Sequence, residues 1–489
     1  MPRIENTVPG WLLLAAAWPA ACGDGPGVGP VDVTADAAPD AAPDADAGWD
    51  ALDTNRRDLP PPADAAVETV ALPSVCGDGV LDPGEECDDM NRGNGDGCDW
   101  LCRLGDGSFD YPPPDDSVPP ITLDDDPVVV VPASEGPDGC TSGGRLDLAW
   151  SGSECALAYP VSLPRQAGKV RILDQGGRTL GGPWELPVAW TEPALAIDWA
   201  DGSFVLFAAS GWPVVLAKLD RSGSVVDGPR DLPALGAGTE ALHLKDAGWN
   251  GSLHLVASDV WSTPEAEGPS RTALEAVSAR GDRVGPAVVL DTEVFGTWRA
   301  RVVPVGTLFA VSDGVRVVML EPLSAEVRWS GYVGRAEGNY GDIAVTPDGV
   351  LLFWLEPSET TDASLDLWVA GFDLAGDLVL PPRITRAGIR GRHSAALHAT
   401  WGAAGALVVL AATDVPGTFD PCEVRALNAD RHGNVRSGEV TVFGPDMCGV
   451  SGAGGLAVEA DDSGYVLVGV GPYTDRLGRE IVFRRLIPS

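Results

Sequence analysis

A tight turn followed by an apolar stretch recurs seven times between residues 149 and 471 of this 489-residue chain. Examples are "DWADGSFVLFAAS", "TPDGVLLFWLEP" and "EADDSGYVLVGVG". The turn glycines are 43 to 59 residues apart, at Gly152, Gly202, Gly251, Gly306, Gly349, Gly405 and Gly464. Self-similarity at such a period is typical of folds that stack one supersecondary unit on the next. This repeat limits the fold more than any other feature of the chain.

Six of the seven copies are followed by a second unit, such as "VVLAKLDRSGSVVDGPRDL" or "LWVAGFDLAGDLVLPP". Alternating runs joined by Gly-containing turns predict β-hairpins. Seven copies of about four short strands predict an all-β fold, namely a seven-bladed β-propeller. The last copy, "GREIVFRRLIPS", ends after its third strand, and "DPVVVVP" at residues 126–132 is the candidate for the outer strand that closes the ring. A β-sandwich and two smaller propellers remain alternatives, because the repeat has no WD or kelch signature.

Four cysteines lie in the segment "CGDGVLDPGEECDDMNRGNGDGCDWLC", residues 76–102. So short a segment buries too little apolar surface to fold without cross-links or a metal. It has no CxxC pair and no histidine, so disulfides are favoured over zinc. Four cysteines allow three pairings, which the spacing leaves open.

This segment resembles the myxobacterial cysteine-rich repeat, a disulfide module. The resemblance covers about a twentieth of the chain and is carried by Cys76, Gly77, Gly79, Pro83, Gly84, Glu85, Glu86, Cys87, Asp88, Asp89, Asn91, Asp96, Gly97, Cys98 and Cys102. It implies a secreted or surface protein and no particular chemistry.

Oxygen-bearing side chains in the same segment make a candidate calcium site, formed by Asp88, Asp89, Asn91 and Asp96. Carboxylate and amide oxygens are the ligands that calcium prefers. The spacing does not match an EF-hand, and a set of Asx turns between disulfides is the alternative. Calcium is the one cofactor that the sequence suggests.

The first 22 residues, "MPRIENTVPGWLLLAAAWPAAC", have the apolar run and small-residue ending of a secretory signal. The ending "PAAC" resembles the lipobox of bacterial lipoproteins, which implies lipidation of Cys22. An ordinary cleaved signal is the alternative. Without Cys22 an even number of cysteines remains for disulfides, in Cys76, Cys87, Cys98, Cys102, Cys140, Cys155, Cys422 and Cys448. We predict the pairs Cys140–Cys155 and Cys422–Cys448, with Cys140–Cys448 as the competing pair.

Composition divides the rest of the chain. Residues 23–75 are rich in Ala, Asp and Pro, with repeated "DAAPDA", and are predicted to form a disordered stalk. Residues 103–125 form a second acidic, Pro-rich linker, and residues 126–489 form the propeller-like domain. The order is therefore anchor, stalk, cysteine-rich module, linker and propeller.

No catalytic or cofactor-binding residue is assigned from the sequence. The net charge of −38 excludes a nucleic-acid partner, which needs clustered basic residues. The chain has no GxSxG, phosphate-loop, dinucleotide or HExxH motif. The histidines fit no metal pattern and are predicted to be partly exposed polar residues: His243, His254, His393, His398 and His432. Tryptophans just before the turns are predicted to pack in the core rather than to stack on sugars: Trp150, Trp199, Trp249 and Trp401.

These features predict a binding protein, lipid-anchored at the outer membrane or cell surface, whose propeller binds a protein or a glycan. The alternative is a periplasmic or secreted hydrolase or lyase acting on an envelope or extracellular polymer. An enzyme is the less favoured of the two, and it requires acidic, His or Arg side chains that converge in the channel of the propeller. A third hypothesis, a structural spacer, predicts a channel without convergent polar groups.

Overall fold

Regular structure in the described part of the chain consists of β-strands. The computed structural model describes residues 68–70, 118–124, 126–136, 145–161, 167–186, 194–209, 214–232, 240–261, 271–290, 300–312, 314, 316–332, 341–358, 364–390, 393–413, 423–436, 439–444, 455–474 and 478–489. The chain divides into two compact units, Met1–Pro61 and Pro62–Ser489, and all described residues belong to the second. Within these ranges no helix is long and apolar enough to span a membrane.

Three short strands come first in the chain: β1 (Glu68–Val70), β2 (Ile121–Leu123) and β3 (Val128–Val131). Seven antiparallel sheets, which we call blades 1 to 7, then follow in order. Blade 1 contains β4 (Asp147–Trp150), β5 (Cys155–Val161), β6 (Ala167–Leu173) and β7 (Thr179–Glu185). Blade 2 contains β8 (Ala194–Ala200), β9 (Ser203–Ala209), β10 (Val215–Leu219) and β11 (Val225–Asp231). Blade 3 contains β12 (Glu240–Trp249), β13 (Leu253–Trp261), β14 (Arg271–Ser278) and β15 (Val288–Leu290).

The remaining blades repeat this arrangement. Blade 4 contains β16 (Arg301–Val305), β17 (Leu308–Ser312), β18 (Arg316–Glu321) and β19 (Glu326–Tyr332). Blade 5 contains β20 (Gly341–Thr346), β21 (Gly349–Pro357), β22 (Ser364–Asp373) and β23 (Leu378–Arg390). Blade 6 contains β24 (His393–Gly402), β25 (Gly405–Thr413), β26 (Glu423–Ala429) and β27 (Val440–Phe443). Blade 7 contains β28 (Leu456–Asp461), β29 (Gly464–Thr474) and β30 (Gly478–Pro488).

The blades form a closed ring. The first strand of each blade contacts the first strand of the next, and β28 contacts β4. A separate apolar core lies between each pair of neighbouring blades, seven in all. The fold is therefore a seven-bladed β-propeller, as predicted, and not a sandwich. The four tryptophans before the turns pack against these cores, which confirms the prediction made for Trp150, Trp199, Trp249 and Trp401.

The ring is closed by strands from the two ends of the propeller domain. β3 pairs antiparallel with β30, with Val128 opposite Phe483, so residues 126–132 supply the outer strand as predicted. β2 pairs with the end of β30, which places part of the predicted linker in the propeller. Ile121 of β2 is buried. β1, from the segment predicted as a stalk, pairs in parallel with β15 of blade 3.

The third and fourth strands of five blades are joined by the same five-residue turn, of the form Asp-x-x-Gly-x or Ser-x-x-Gly-x. In blade 2 the carboxylate oxygen Oδ1 of Asp220 accepts the backbone N–H groups of Ser222 at 2.8 Å and Ser224 at 2.9 Å. Equivalent turns begin at Asp174, Ser278, Asp373 and Asp430. The glycine has a φ between +70° and +96° in all five, at Gly177, Gly223, Gly281, Gly376 and Gly433. Glycine is favoured because other residues are strained in this conformation.

The same glycines let each turn approach the preceding blade. A Cβ atom at Gly376 would lie 2.4 Å from the Trp329 ring of blade 4, and one at Gly177 would lie 2.6 Å from Phe483 of blade 7. The turn residue is therefore a packing contact between blades as well as a conformational requirement.

We expect Gly376→Ala to lower the free energy of unfolding more than Gly202→Ala does. Both residues have positive φ, but a Cβ at Gly202 meets nothing within 4 Å. Gly202→Ala should cost about 1–2 kcal/mol through backbone strain. Gly376→Ala should cost a further ~1–3 kcal/mol because it overpacks against Trp329. Urea unfolding followed by tryptophan fluorescence measures both, and equal losses would contradict the proposed contact.

Candidate functional site

The first strand of each blade is its inner strand, which lines the centre of the ring. Each inner strand contributes an ionisable side chain to one central cluster, which we call the channel cluster: Asp147, Asp198, Asp246, Arg301, Asp342, His398 and Glu459. Electrostatic influence reaches across the ring. Arg301 of blade 4 lowers the pKa of Glu459 in blade 7, and Glu459 raises the pKa of Asp198 in blade 2. Charges on non-adjacent blades influence one another because these side chains converge on the central channel.

The channel cluster has two levels, set by strand register. Five members occupy one position of the inner strand. This position is three residues before the tryptophan that precedes the turn, or before the residue that replaces this tryptophan in blades 4 and 5: Asp147, Asp246, Arg301, Asp342 and His398. Blades 2 and 7 have Ala196 and Ala457 at this position and carry their acidic residues, Asp198 and Glu459, two residues further along. Residues two apart on a strand point the same way, so both levels lie on the same face of their strands.

Three aspartates of the first level connect neighbouring blades. Each accepts a hydrogen bond from a backbone N–H on the inner strand of the next blade. The bonds are Ile197 N to Asp147 Oδ2 (2.7 Å), Val302 N to Asp246 Oδ2 (2.8 Å) and Ala399 N to Asp342 Oδ2 (3.0 Å). An inner strand has no strand partner on its channel side, and an unsatisfied buried N–H is costly. These three carboxylates therefore have a structural role.

Arg301 lies between two of these aspartates. Its Nη1 atom is 3.8 Å from Asp246 Oδ2, and its Nε atom is 4.0 Å from Asp342 Oδ1. Burial alone would lower the pKa of Arg301, but the carboxylates of Asp246 and Asp342 outweigh burial and raise it. Asp246 is also 3.6 Å from Arg145 Nη2, and His398 Nδ1 is 3.8 Å from Asp342 Oδ2. The Arg301 side of the channel is thus a balanced network of charges.

Asp198, Arg301 and Glu459 remain half-buried, whereas the other four members of the channel cluster are 5% exposed or less. Neither Arg301 nor Glu459 forms a hydrogen bond with another described residue, although Arg301 has its two long ion pairs. Asp198 Oδ1 accepts the backbone N–H of its neighbour Trp199 at 2.7 Å. These three residues therefore bring unused hydrogen-bonding capacity into the channel from blades 2, 4 and 7.

Burial changes the protonation of the carboxyl groups in the channel. It raises the pKa of Asp147 to about 6 and that of Glu459 to about 7, and nearby carboxylates add to both shifts. Burial also raises the pKa of Asp198 well above its ordinary value, with a further contribution from Glu459. A carboxyl group that keeps its proton near neutral pH can donate a hydrogen bond or a proton as well as accept one.

The channel cluster offers hydrogen bonding and proton transfer. Within the described ranges no group of three or more His, Cys, Asp or Glu side chains is arranged to hold a metal ion. The candidate calcium ligands Asp88, Asp89, Asn91 and Asp96 lie outside the described residues, as do Cys22, Cys76, Cys87, Cys98, Cys102, Cys140, Cys422 and Cys448. Cys155 is buried in the core between blades 7 and 1. Its predicted partner is outside the described residues, so that pairing stays a prediction.

Two histidines are more buried than predicted, whereas His432 is half-buried as expected. His398 is a member of the channel cluster. His254 lies opposite Trp249 in the strand register, and its ring centroid is 4.5 Å from that of Trp249 and 5.1 Å from that of Phe207. Burial lowers the pKa of His254 to about 3, so it is neutral in the folded protein. The side chains of His243 and His393 are outside the described residues.

The channel cluster was not identified from the sequence. A signal exists in the short patterns "DLAW", "DAGW" and "HATW", in which an ionisable residue stands three positions before the tryptophan. The pattern would have found Asp147, Asp246 and His398. It would have missed Asp342 and Arg301, which have no tryptophan three positions later, and also Asp198 and Glu459.

Comparison with known proteins gives no family assignment, because no family model matches the chain. Mouse pappalysin-1 is 54% identical over 44 residues, which cover 9% of this chain and 3% of that protein. Human pappalysin-1 is 63% identical over 40 residues, which cover 8% of this chain and 2% of that protein. The chain thus matches only a small part of these curated relatives.

Solved structures similar to the chain have low sequence identity. A protein of unknown function from Dyadobacter fermentans is 11% identical, with a TM-score of 0.41 over 76% of this chain and 100% of that one. An alpha-L-arabinanase from Penicillium chrysogenum, complexed with arabinobiose, is 10% identical, with a TM-score of 0.41 over 76% of this chain and 99% of that one.

We expect Glu459→Gln to flatten the pH dependence of stability. The folded-state pKa of Glu459, about 7, is above its ordinary value of 4.5, so the folded protein binds this proton more tightly than the unfolded chain. The resulting stability is fully present below the unfolded-state pKa and is lost as pH rises through about 7. Replacing the carboxyl group of Glu459 with an amide should remove this loss of stability.

Urea unfolding at several pH values between the unfolded and folded pKa values measures the effect. The exposed Glu326→Gln variant is the control and should keep the wild-type slope. His254 acts in the opposite direction, because its lowered pKa destabilises the fold as pH falls below 6.5, but it is present in all three proteins. If the free energy of unfolding changed with pH equally in Glu459→Gln and wild type, the raised pKa of Glu459 would be contradicted.

Proposed function

We propose that this chain is a lipid-anchored binding protein of the outer membrane or cell surface, and that its propeller binds a protein or glycan at the central channel. The observation that carries the proposal is the set of three half-buried channel residues, Asp198, Arg301 and Glu459, with unused hydrogen-bonding capacity. The propeller supplies a rigid ring on which such residues are held in place.

Unused polar groups in a channel favour binding over a spacer role. A buried polar group without a partner costs free energy, and the first-level aspartates avoid that cost by accepting backbone N–H groups. Arg301 and Glu459 have no such bond among the described residues. A ligand that enters the channel would supply the missing partners.

The proposed location is supported by the sequence of the N-terminal segment. "PAAC" at Cys22 resembles a lipobox, residues 23–75 have the composition of a stalk, and residues 76–102 resemble a module of surface proteins. A stalk of this length would hold the propeller away from the membrane, where a large ligand can reach it.

A second candidate function is a hydrolase or lyase that acts on an envelope or extracellular polymer. The observation in its favour is that burial raises the pKa of both Asp198 and Glu459, and that Glu459 adds to the shift of Asp198 across the channel. Two such carboxyl groups, one protonated and one ionised, can act as general acid and general base. Release of new reducing ends or unsaturated products from envelope polysaccharide would support this candidate.

We expect Arg301→Gln to weaken binding of envelope polysaccharide by the full-length protein about tenfold or more, since a hydrogen bond to a charged group contributes ~1.5–3 kcal/mol. Arg328→Gln, which changes an exposed arginine of the same blade, should bind like wild type. Biolayer interferometry on immobilised polysaccharide measures both.

Because Arg301→Gln removes a positive charge from beside two buried aspartates, Asp198→Ala is tested alongside it and folding is checked by circular dichroism. Equal binding by wild type, Asp198→Ala and folded Arg301→Gln would place the binding surface elsewhere. The mass of the mature protein tests the anchor separately, since a lipidated N-terminal residue at Cys22 is expected.

A further inference from the structure

We infer that the channel binds an uncharged, hydroxyl-rich ligand, such as a segment of a neutral saccharide, through Asp198, Arg301 and Glu459. This inference rests on the proposed function, because it specifies the chemistry of the ligand at the same site. It is argued from the balance of charge and the hydrogen-bonding groups in the channel.

The charge of Arg301 is already balanced. Its guanidinium lies 3.8 Å from Asp246 and 4.0 Å from Asp342, and Asp246 also lies 3.6 Å from Arg145. Two guanidinium groups, those of Arg145 and Arg301, therefore share this side of the channel with Asp246 and Asp342, and the carboxyl group of Asp147 also lies near both arginines. An anionic ligand approaching Arg301 would be repelled by both aspartates, so the channel disfavours an anion although it contains an arginine.

Arg301 nevertheless keeps its hydrogen-bond donors. Neither ion pair is short enough for a hydrogen bond, and Nε is buried without a partner. A guanidinium group has five N–H donors and no acceptor, so the ligand must supply acceptors. An uncharged oxygen meets this need without adding charge to a balanced network.

Asp198 and Glu459 face the channel from the other side. Because burial raises the pKa of both groups, they hold protons under mildly acidic conditions and then both donate and accept hydrogen bonds. A sugar hydroxyl also both donates and accepts, so it can bond to a protonated carboxyl group and to Arg301. A ligand with several hydroxyl groups fits all three side chains at once.

A ligand that contacts all three residues must reach three parts of the ring. They come from blades 2, 4 and 7, so they surround the channel rather than line one wall. The other ionisable groups that face this space are Arg145, Asp147, Asp246, Asp342 and His398. A ligand with hydroxyl groups on several sides can bond to the three residues without adding charge to this network.

The test uses full-length protein and isothermal titration with neutral oligosaccharides, namely the hexaoses of cellulose, xylan, mannan and starch. Spermidine is the cationic probe and an oligogalacturonide is the anionic probe. We expect at least one neutral oligosaccharide to bind about tenfold more tightly well below the Glu459 pKa than well above it, because ionisation adds uncompensated charge to the channel. Spermidine and the oligogalacturonide should bind more weakly.

Glu459→Gln separates the neutral ligand from a cation. An amide has the shape and donor of a protonated carboxyl group but no proton to lose, so we expect the affinity of this variant for the neutral oligosaccharide not to change with pH. Glu326→Gln, an exposed change in blade 4, should show the wild-type pH profile.

Three results would overturn the inference. Spermidine binding that strengthens as pH rises and is lost in Glu459→Gln would identify a cation site. Preference for the oligogalacturonide would identify an anion site. Either result leaves the proposed binding role of the channel intact and rejects only the ligand class. Absence of binding by every neutral oligosaccharide also rejects the ligand class, whereas polysaccharide binding that is unaffected by Asp198→Ala and Arg301→Gln rejects the channel itself.

Discussion

The central channel exists because β3 and β2 pair with β30 and so join the two ends of the propeller domain. Together with the contact between β28 and β4 and the core between blades 7 and 1, this pairing closes the ring and brings blades 2, 4 and 7 around one channel. Pairing also removes an exposed strand edge from blade 7, which would otherwise be a site for association with another chain. Closure of the ring is thus what brings the side chains of the channel cluster together.

The channel cluster divides into groups that hold the ring together and groups that do not. Asp147, Asp246 and Asp342 occur in blades 1, 3 and 5 and each accepts an N–H from the next blade. An aspartate in every second blade cannot continue around a ring of seven blades. Blades 7 and 2, which flank Asp147, have alanine at this position and carry Glu459 and Asp198 two residues further along. The carboxyl groups available to a ligand are therefore those that the inter-blade contacts do not use.

Sequence periodicity was sufficient to predict the blade count, the four strands of each blade and the closing role of Val128–Val131, because turn glycines and strand alternation are local signals. The channel cluster could not be predicted in the same way. Whether His398 faces the channel depends on strand register and ring closure, and neither is encoded within a few residues of it. His254 was predicted to be partly exposed, yet its register places it opposite Trp249 in a core. Local pattern thus defines the elements, whereas burial of polar residues depends on which element packs beside them.

The proposed function couples stability to binding in this channel, because both would depend on Asp198 and Glu459. Burial of Asp198 and Glu459 disfavours their ionised forms, and for Glu459 this effect outweighs the opposing charge of Arg301, so the folded state becomes less stable as pH rises. Replacing them with apolar residues would remove that effect, and also the hydrogen-bonding groups that face the channel. A ligand that bonds to these groups in the folded protein alone must stabilise the fold by mass action. The proposed binding residues are thus also groups whose ionisation destabilises the fold, which is the trade-off expected when polar side chains are kept for binding.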